Sequence, residues 1–406
     1  MVLERFLRYV AYDTQSEEGS VCTPSTAKQL VLGELLAKDL AEIGLKNAHM
    51  DEFGCVYGWL PASEGWETEP VLGLIAHLDT APRVSGSGVK PQILRYEGGD
   101  LVLNQDKGIV MEEKKFPSLA LQRGKRLVVT DGTTLLGADD KAGVAEIFSA
   151  MEYLMAHPDI SHGCIAICIT PDEEVGRGTD HFDLKKFGAD AAYTVDGGAL
   201  GELEYENFNA ADGEAVIHGV NIHPGEGKNR MKNSLLIAIE FAGMLPPAET
   251  PAHTEGYEGF YHLCTMNGDE SETKLSFLIR DHDLEKFMAR KQTMERIAGY
   301  INTKYGADTV KLKLTDTYYN MKEPLKSRRD LIDRAAAAFR QVGIEPQEVP
   351  IRGGTDGARL TYLGLPCPNL STGGFHFHGI YEYIPVESLE KMTQVLVKLV
   401  TGRSEK

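Results

Sequence analysis

The sequence predicts an α/β protein. A larger domain is built on a mostly parallel sheet, and a two-layer β-α-β-β-α-β domain is inserted into it. Three observations carry this expectation. Short apolar runs ("CVYGWLP", "VLGLIAHLDT", "CIAICIT", "AAYTVDGG") read as strands, and helical patterns fall between them. Strands alternating with helices imply a largely parallel sheet. Beyond about Glu206 the texture changes, and around Tyr319 the first pattern resumes. A chain of 406 residues exceeds one ordinary core, so two domains are expected. Their boundaries fall at 1–206 with 319–406 for the larger domain, and at 207–318 for the insert.

The elements follow in order. "MVLERFLRYV" is an amphipathic helix carrying Glu4, Arg5 and Arg8, without the apolar core of a signal peptide. In residues 24–44, Leu30, Leu35, Leu36, Leu40 and Ile43 recur at helical spacing until Gly44 stops the run. "VLGLIAHLDT" (71–80) is apolar almost throughout, as a strand covered on both faces should be. "RLVVTDGTTLLGADDKAGVAEIFSAMEYLMAH" gives a short strand, a glycine-rich turn and a helix from about Lys141. In the insert, "NAADGEAVIHGV" is a strand and "NSLLIAIEFAGML" a helix that ends before Pro246 and Pro247. A hairpin over "FYHLCTMNGDESETKLSFLIRDHD", a second helix and the strand "TVKLKLTDTYY" complete the β-α-β-β-α-β order. The helix "RDLIDRAAAAFRQVG" and the turn "RGGTDG" then return to the larger domain. Internal repeats and low-complexity segments are absent.

Composition narrows the function. Hydrophobic residues at 42% and charged residues at 25% describe a soluble globular protein. A net charge of -18 argues against non-specific nucleic-acid or anionic-membrane binding. Among Cys22, Cys55, Cys164, Cys168, Cys264 and Cys367 there is no CxxC pair, so a cysteine zinc site or redox motif is not expected. No stretch approaches the roughly 20 apolar residues that span a bilayer. The expectation is a cytoplasmic protein with reduced thiols.

Five motifs can carry chemistry. In "HLD", His77 and Asp79 share a face of a strand, so the carboxylate can bond one ring nitrogen and leave the other for a metal. In "GADDKAG", one aspartate of a glycine-flanked turn can bridge metals, or the pair can be a helix cap and its neighbour. In "TPDEEVGRG", Glu173 and Glu174 diverge at a strand end, one able to bind metal and one to move protons. "TVDGG" places Asp196 at the end of another strand. "GGFHFHGIYEY" contributes His376 and His378, which face one side if the segment is extended. Singly, each has an ordinary structural explanation. Jointly, they fall beyond the carboxyl ends of the strands, where open α/β sheets bind ligands. Oxygen and imidazole donors without cysteine fit a hydrolytic dizinc site with metals about 3.5–4 Å apart, for which manganese or cobalt could substitute.

"HLDTAP", "LLGADDKAG", "TPDEEVGRG", "YTVDGG", "ENFNA", "HPG", "EGYEGFYHL", "IRGGTDGARL" and "GLPCPNLSTGG" resemble the peptidase T family of tripeptide aminopeptidases. That family is a branch of the co-catalytic zinc exopeptidases and deacylases, and the resemblance spans nearly the whole chain. It implies two zinc ions per subunit. His77 and Asp196 would hold one, Glu174 and His378 the other, and Asp139 both, with a cis peptide between Asp139 and Asp140. Asp79 would support His77, and Glu173 would be the general base toward zinc-activated water. The inserted domain would serve as lid and dimer contact. His223 would be lent to the other subunit's site, and Arg280 would grip the carboxylate of a short peptide substrate. A dipeptidase or N-acyl amino acid deacylase on the same scaffold is the alternative within enzymes. A non-catalytic peptide-binding protein is the alternative outside them. The resemblance leaves His376 and Asp172 without roles; Asp172 is expected to be structural in its turn.

Overall fold

Eight strands build the large sheet of the first unit in this computed structural model, which describes residues 1–401. The last five residues of the expected larger domain lie outside the described residues. The strands are β1 (Lys46–Met50), β2 (Val56–Leu60), β3 (Leu72–His77), β4 (Ile165–Thr170), β5 (Ala191–Gly197), β6 (Glu202–Glu204), β7 (Gln347–Glu348) and β8 (Asn369–Ser371). Their order is β1-β2-β4-β3-β5-β8-β6-β7. The core β4-β3-β5-β8 is parallel, and β2 joins it antiparallel on one side, β6 on the other.

Every residue of β3 and β4 is buried, because both faces of the sheet are covered. Leu72, Leu74, Ile165, Ile167 and Ile169 face one core, formed with the helices Val2–Val10, Lys28–Ile43, Ala138–Ala156 and Val386–Thr401. Ile75, Ala166 and Cys168 face the other core, with Phe182, Phe187 and Leu360. Each fully buried Leu or Ile contributes about 1.5–3 kcal/mol before chain entropy is counted. The strand expected in "RLVV" forms as Arg126–Val129, but in a separate three-stranded sheet with Gln92–Arg95 and Ile384–Pro385.

The helix Ala138–Ala156 becomes regular at Lys141. Asp139 (φ -83, ψ 104) and Asp140 (φ -123, ψ 32) are non-helical, and the peptide between them is cis. Three residues past that turn, Gly143 lies so close to β5 that a Cβ there would collide with the Val195 carbonyl oxygen. The helix start is thereby pressed against the strand that carries Asp196.

The second unit comprises Glu206–Glu323 with Pro350–Gly354. Its elements run Asn209–His218, Ser234–Gly243, Phe260–Gly268, Glu272–Asp281, Leu284–Tyr305 and Val310–Tyr318, a β-α-β-β-α-β order. The four strands form one antiparallel sheet, with Phe260–Gly268 and Val310–Tyr318 at its edges. Burial alternates along Glu272–Asp281, so one face is packed, against Ile237, Phe241, Phe287 and Met294 of the two helices. Asn233 and Asp283 cap those helices by accepting from Leu236 N and Lys286 N.

The asparagines of "ENFNA" tie this unit's chain ends together. Asn207 donates to the carbonyls of Phe208 and Tyr319 and accepts from Met321 N. Asn209 donates to the carbonyls of Asp281 and His282 and accepts from Asn320 N. The Asn320 side chain accepts from Asn207 N and donates to the His282 carbonyl. Arg352 belongs to the same unit. Its guanidinium donates to the carbonyls of Gly256 and Glu258 and lies over the rings of Phe208 and Phe260. No helix among the described residues is long and apolar enough to cross a membrane.

Candidate metal centre

The parallel strands deliver their ends to one edge of the sheet. His77, the last residue of β3, pairs with Thr170, the last of β4. Asp196 sits one residue before the end of β5, and Glu173 and Glu174 follow β4 in a single turn of 3-10 helix. Asp139 comes from the turn before the long helix, and His378 from the loop after β8.

These residues converge. His77 Nε2 lies 2.9 Å from Asp139 Oδ1 and 3.3 Å from Asp196 Oδ1. His378 Nε2 lies 2.9 Å from Asp139 Oδ2 and 3.0 Å from Glu174 Oε2. The ligand atoms of His77, Asp139 and Asp196 all fall within 4.8 Å of one another, as do those of Asp139, Glu174 and His378. Two three-ligand groups therefore share one carboxylate, each of whose oxygens faces a different imidazole. Asp79 stands behind them, fully buried. Its Oδ1 is 3.3 Å from His77 Nδ1 and accepts from Glu173 N at 3.0 Å, while Oδ2 accepts from Glu174 N. One carboxylate thus orients the β3 imidazole and holds the turn that carries both glutamates.

The electrostatics are those of an anionic cluster short of positive charge. Burial pushes Asp196 and Glu174 each up to about 7. Burial, then the charge of Asp196, raises Glu173 well above the carboxylate range. At Asp139 burial is outweighed by the bonds to His378 and His77, which hold its carboxyl well below that range. Burial lowers the His77 pKa, but Asp196, Asp139 and Asp79 together raise it well above the usual imidazole value. His378 is pushed up to about 11, first by its bonds to Asp139 and Glu174. Glu174 Oε1 is buried without a hydrogen-bond partner. Buried carboxylates are costly unless a cation meets them. The donor set of three carboxylates and two imidazoles fits a pair of divalent ions such as zinc, manganese or cobalt.

His376 and His378 do not share a face. Both adopt left-handed backbone (φ 57 and φ 62) rather than the extended form expected, so the side chains part. His376 packs edge-on against Phe116, and its Nε2 is 2.8 Å from Ser118 Oγ. Asp172, also left-handed and fully buried, accepts from Ser25 N, Ser25 Oγ and Gln29 Nε2. It ties the Glu173–Glu174 turn to the segment leading into the helix Lys28–Ile43.

His223 and Arg280 belong to the second unit, whereas His77, Asp79, Asp139, Glu173, Glu174, Asp196 and His378 belong to the first. His223 is exposed and accepts from Gly225 N. Arg280 is folded back on its own sheet, donating to the carbonyls of Ala211 and Ile279 beneath the Tyr318 ring. Two buried aspartates, Asp140 and Asp356, have roles that no local sequence pattern marks. Asp140 accepts from His77 N and Gly143 N. Asp356, in the "RGGTDG" turn, accepts from Thr170 Oγ1 at the end of β4, and burial pushes it up to about 6. Each stands beside a strand-end position, and the strand-end partners, His77 and Thr170, are remote in sequence.

Comparison with known proteins places this arrangement in context. The family described as peptidase family M20/M25/M40 matches residues 129–402. A protein named peptidase T from Halothermothrix orenii is 55% identical over 400 residues, covering 98% of each chain. The crystal structure of an aminopeptidase PepT from Bacillus cereus superposes with a TM-score of 0.77 at 22% identity, covering 98% of this chain and 97% of the other. A Staphylococcus aureus tripeptidase gives 0.77 at 21% identity with the same coverage. A dinuclear metal-binding peptidase of family M20 from Bacillus subtilis gives 0.66 at 14%, covering 98% and 96%. At these identities the solved structures establish the fold.

Proposed function

The chain belongs to peptidase family M20/M25/M40, within its peptidase T group, and from that membership we propose a metal-dependent aminopeptidase that releases the N-terminal residue from tripeptides. The observation that carries the reading is the sharing of Asp139 by two ligand groups, with the half-buried Glu173 in neither. His77 and Asp196 would hold one ion, Glu174 and His378 the other, and Asp139 both. We take the ions to be zinc, with manganese or cobalt able to substitute. When bound, such a pair makes a water acidic near neutral pH and polarises the scissile carbonyl.

The protein's own groups do the rest. Asp79 fixes the His77 ring through Nδ1 and holds the Glu173 and Glu174 amides, so the Glu173 side chain is presented from a rigid turn. Glu173 takes the proton of the attacking water on a carboxylate oxygen and returns it to the departing amine nitrogen. Arg280 would take the peptide carboxylate. His223 would act in the partner subunit's site, which makes the protein a homodimer joined through its second unit. Two features favour that surface. Leu236 and Ile239 are 65% and 57% exposed on one helix, and the strand Phe260–Gly268 has an open edge. Six cysteines kept as thiols suit a reducing compartment, the cytoplasm.

The test is a panel of di-, tri- and tetrapeptides and N-acyl amino acids, with and without a chelator. Tripeptides with a free N-terminus should be cleaved fastest, and chelation should abolish turnover until zinc, manganese or cobalt is returned. Faster cleavage of dipeptides or acyl amino acids would make the protein a dipeptidase or a deacylase. Peptide binding without hydrolysis or metal uptake would make it a binding protein.

A further inference from the structure

Asp139 reaches the centre from a turn whose amides lie outside any helix or strand ladder. Those amides are satisfied by one side chain. Leu136 N and Gly137 N donate to one carboxylate oxygen of Glu382 at 2.7 and 2.8 Å, and Asp139 N donates to the other at 3.1 Å. Glu382 is 1% exposed, so the three bonds form away from water, where each matters most.

Its position in the chain gives the arrangement a consequence. Glu382 closes the turn that starts at Gly379, directly after His378, with Glu382 N donating to the Gly379 carbonyl. The next residue, Tyr383, pairs through its backbone with Phe375 and donates through its hydroxyl to Ser118 Oγ. The loop that presents His378 is thereby closed on itself. Glu382 lies 243 residues from Asp139 in sequence, yet it joins the His378 loop to the Asp139 turn.

We propose that Glu382 is the positioning residue of the bridging carboxylate: it fixes the Asp139 turn against the His378 loop at the spacing at which both can hold one ion. The inference rests on the dimetal reading above. It requires a carboxylate rather than merely a polar side chain. Three N–H donors converge on two acceptor oxygens, so a glutamine must turn its own NH2 toward at least one of them.

The experiment is zinc titration of the full chain against a chromogenic chelator, for wild type, Glu382→Gln and Glu382→Asp, alongside thermal melts of each metal-free protein. Wild type should take up two ions. Glu382→Gln should bind them about 10–100-fold more weakly, the range for groups that orient ligands. Glu382→Asp keeps both oxygens but sets them back by one methylene, so its loss should be smaller. Unchanged affinity in Glu382→Gln beside two tight ions in wild type overturns the part given to Glu382 alone. A lower metal-free melting temperature in both variants without weaker binding makes Glu382 structural and overturns it too, as does failure of both to fold. A wild-type protein that binds fewer than two ions overturns the dimetal reading itself.

Discussion

Asn209 in the second unit is 2% exposed, and its side chain is matched throughout: two carbonyls accept from the amide and one N–H donates to its oxygen. Glu174 in the first unit has a side chain 5% exposed, and one of its oxygens meets no donor. The contrast extends to their neighbours. Asn207, Asn209 and Asn320 satisfy one another's surroundings. Glu174, Asp139 and Asp196 crowd around two imidazoles. Buried polar groups that are mutually satisfied specify architecture. Buried anions that converge without enough positive charge mark a place for cations.

The sharpest way to break the comparison is Asp139→Asn. The amide cannot offer an anionic oxygen to each metal group. Turnover should fall by more than about 100-fold, beyond the range for groups that only orient ligands, and bound metal should fall with it. Assay of tripeptide hydrolysis and metal content checks both. Full metal content with full activity would mean that Asp139 is another satisfied polar group.

Asn209→Ala should act in the opposite way. It removes the side-chain partner of the Asp281 carbonyl and of Asn320 N, at about 1–3 kcal/mol of stability each, while the His282 carbonyl keeps the Asn320 side chain. Denaturant unfolding should show the loss while metal stoichiometry stays at the wild-type value. A smaller effect is expected at His282, buried in the same unit. Burial lowers its pKa from 6.5, against the raising effect of its bond to the Ile351 carbonyl. As pH falls, the unfolded ring therefore takes its proton first. Stability present above the unfolded pKa is lost as pH falls through the depressed folded one. Melting temperature should fall as pH drops below about 6.5, the value from which the folded ring is depressed, and His282→Gln should flatten that dependence.

Much of the fold was legible because its cause is local. Apolar runs announced β2 to β5, and the alternation around residues 209–318 announced the second unit's order. Lys141 was readable as a helix start because a glycine-flanked pair of aspartates reads as a cap and its neighbour. The helix Val386–Thr401 carries the same kind of signal in Leu389, Met392, Leu396 and Leu399. Convergence of His77, Glu174 and Asp196 was expected because all stand at the ends of apolar runs. What stayed hidden depends on partners far along the chain. His376 leaves its neighbour because Phe116 and Ser118 receive it, and Asp172 serves Ser25 and Gln29. Arg352 is drawn to the second unit by carbonyls near residue 256. No local pattern encodes those meetings.

The central claim is that Glu173 moves protons while its neighbour Glu174 holds metal. The most direct measurement is Glu173→Gln, assayed for bound metal and for tripeptide turnover on the same sample. The account predicts two ions per chain, as in wild type, with kcat lower by about 10²–10⁴-fold. Wild-type turnover in that variant, or loss of its metal, would contradict the division of labour between Glu173 and Glu174.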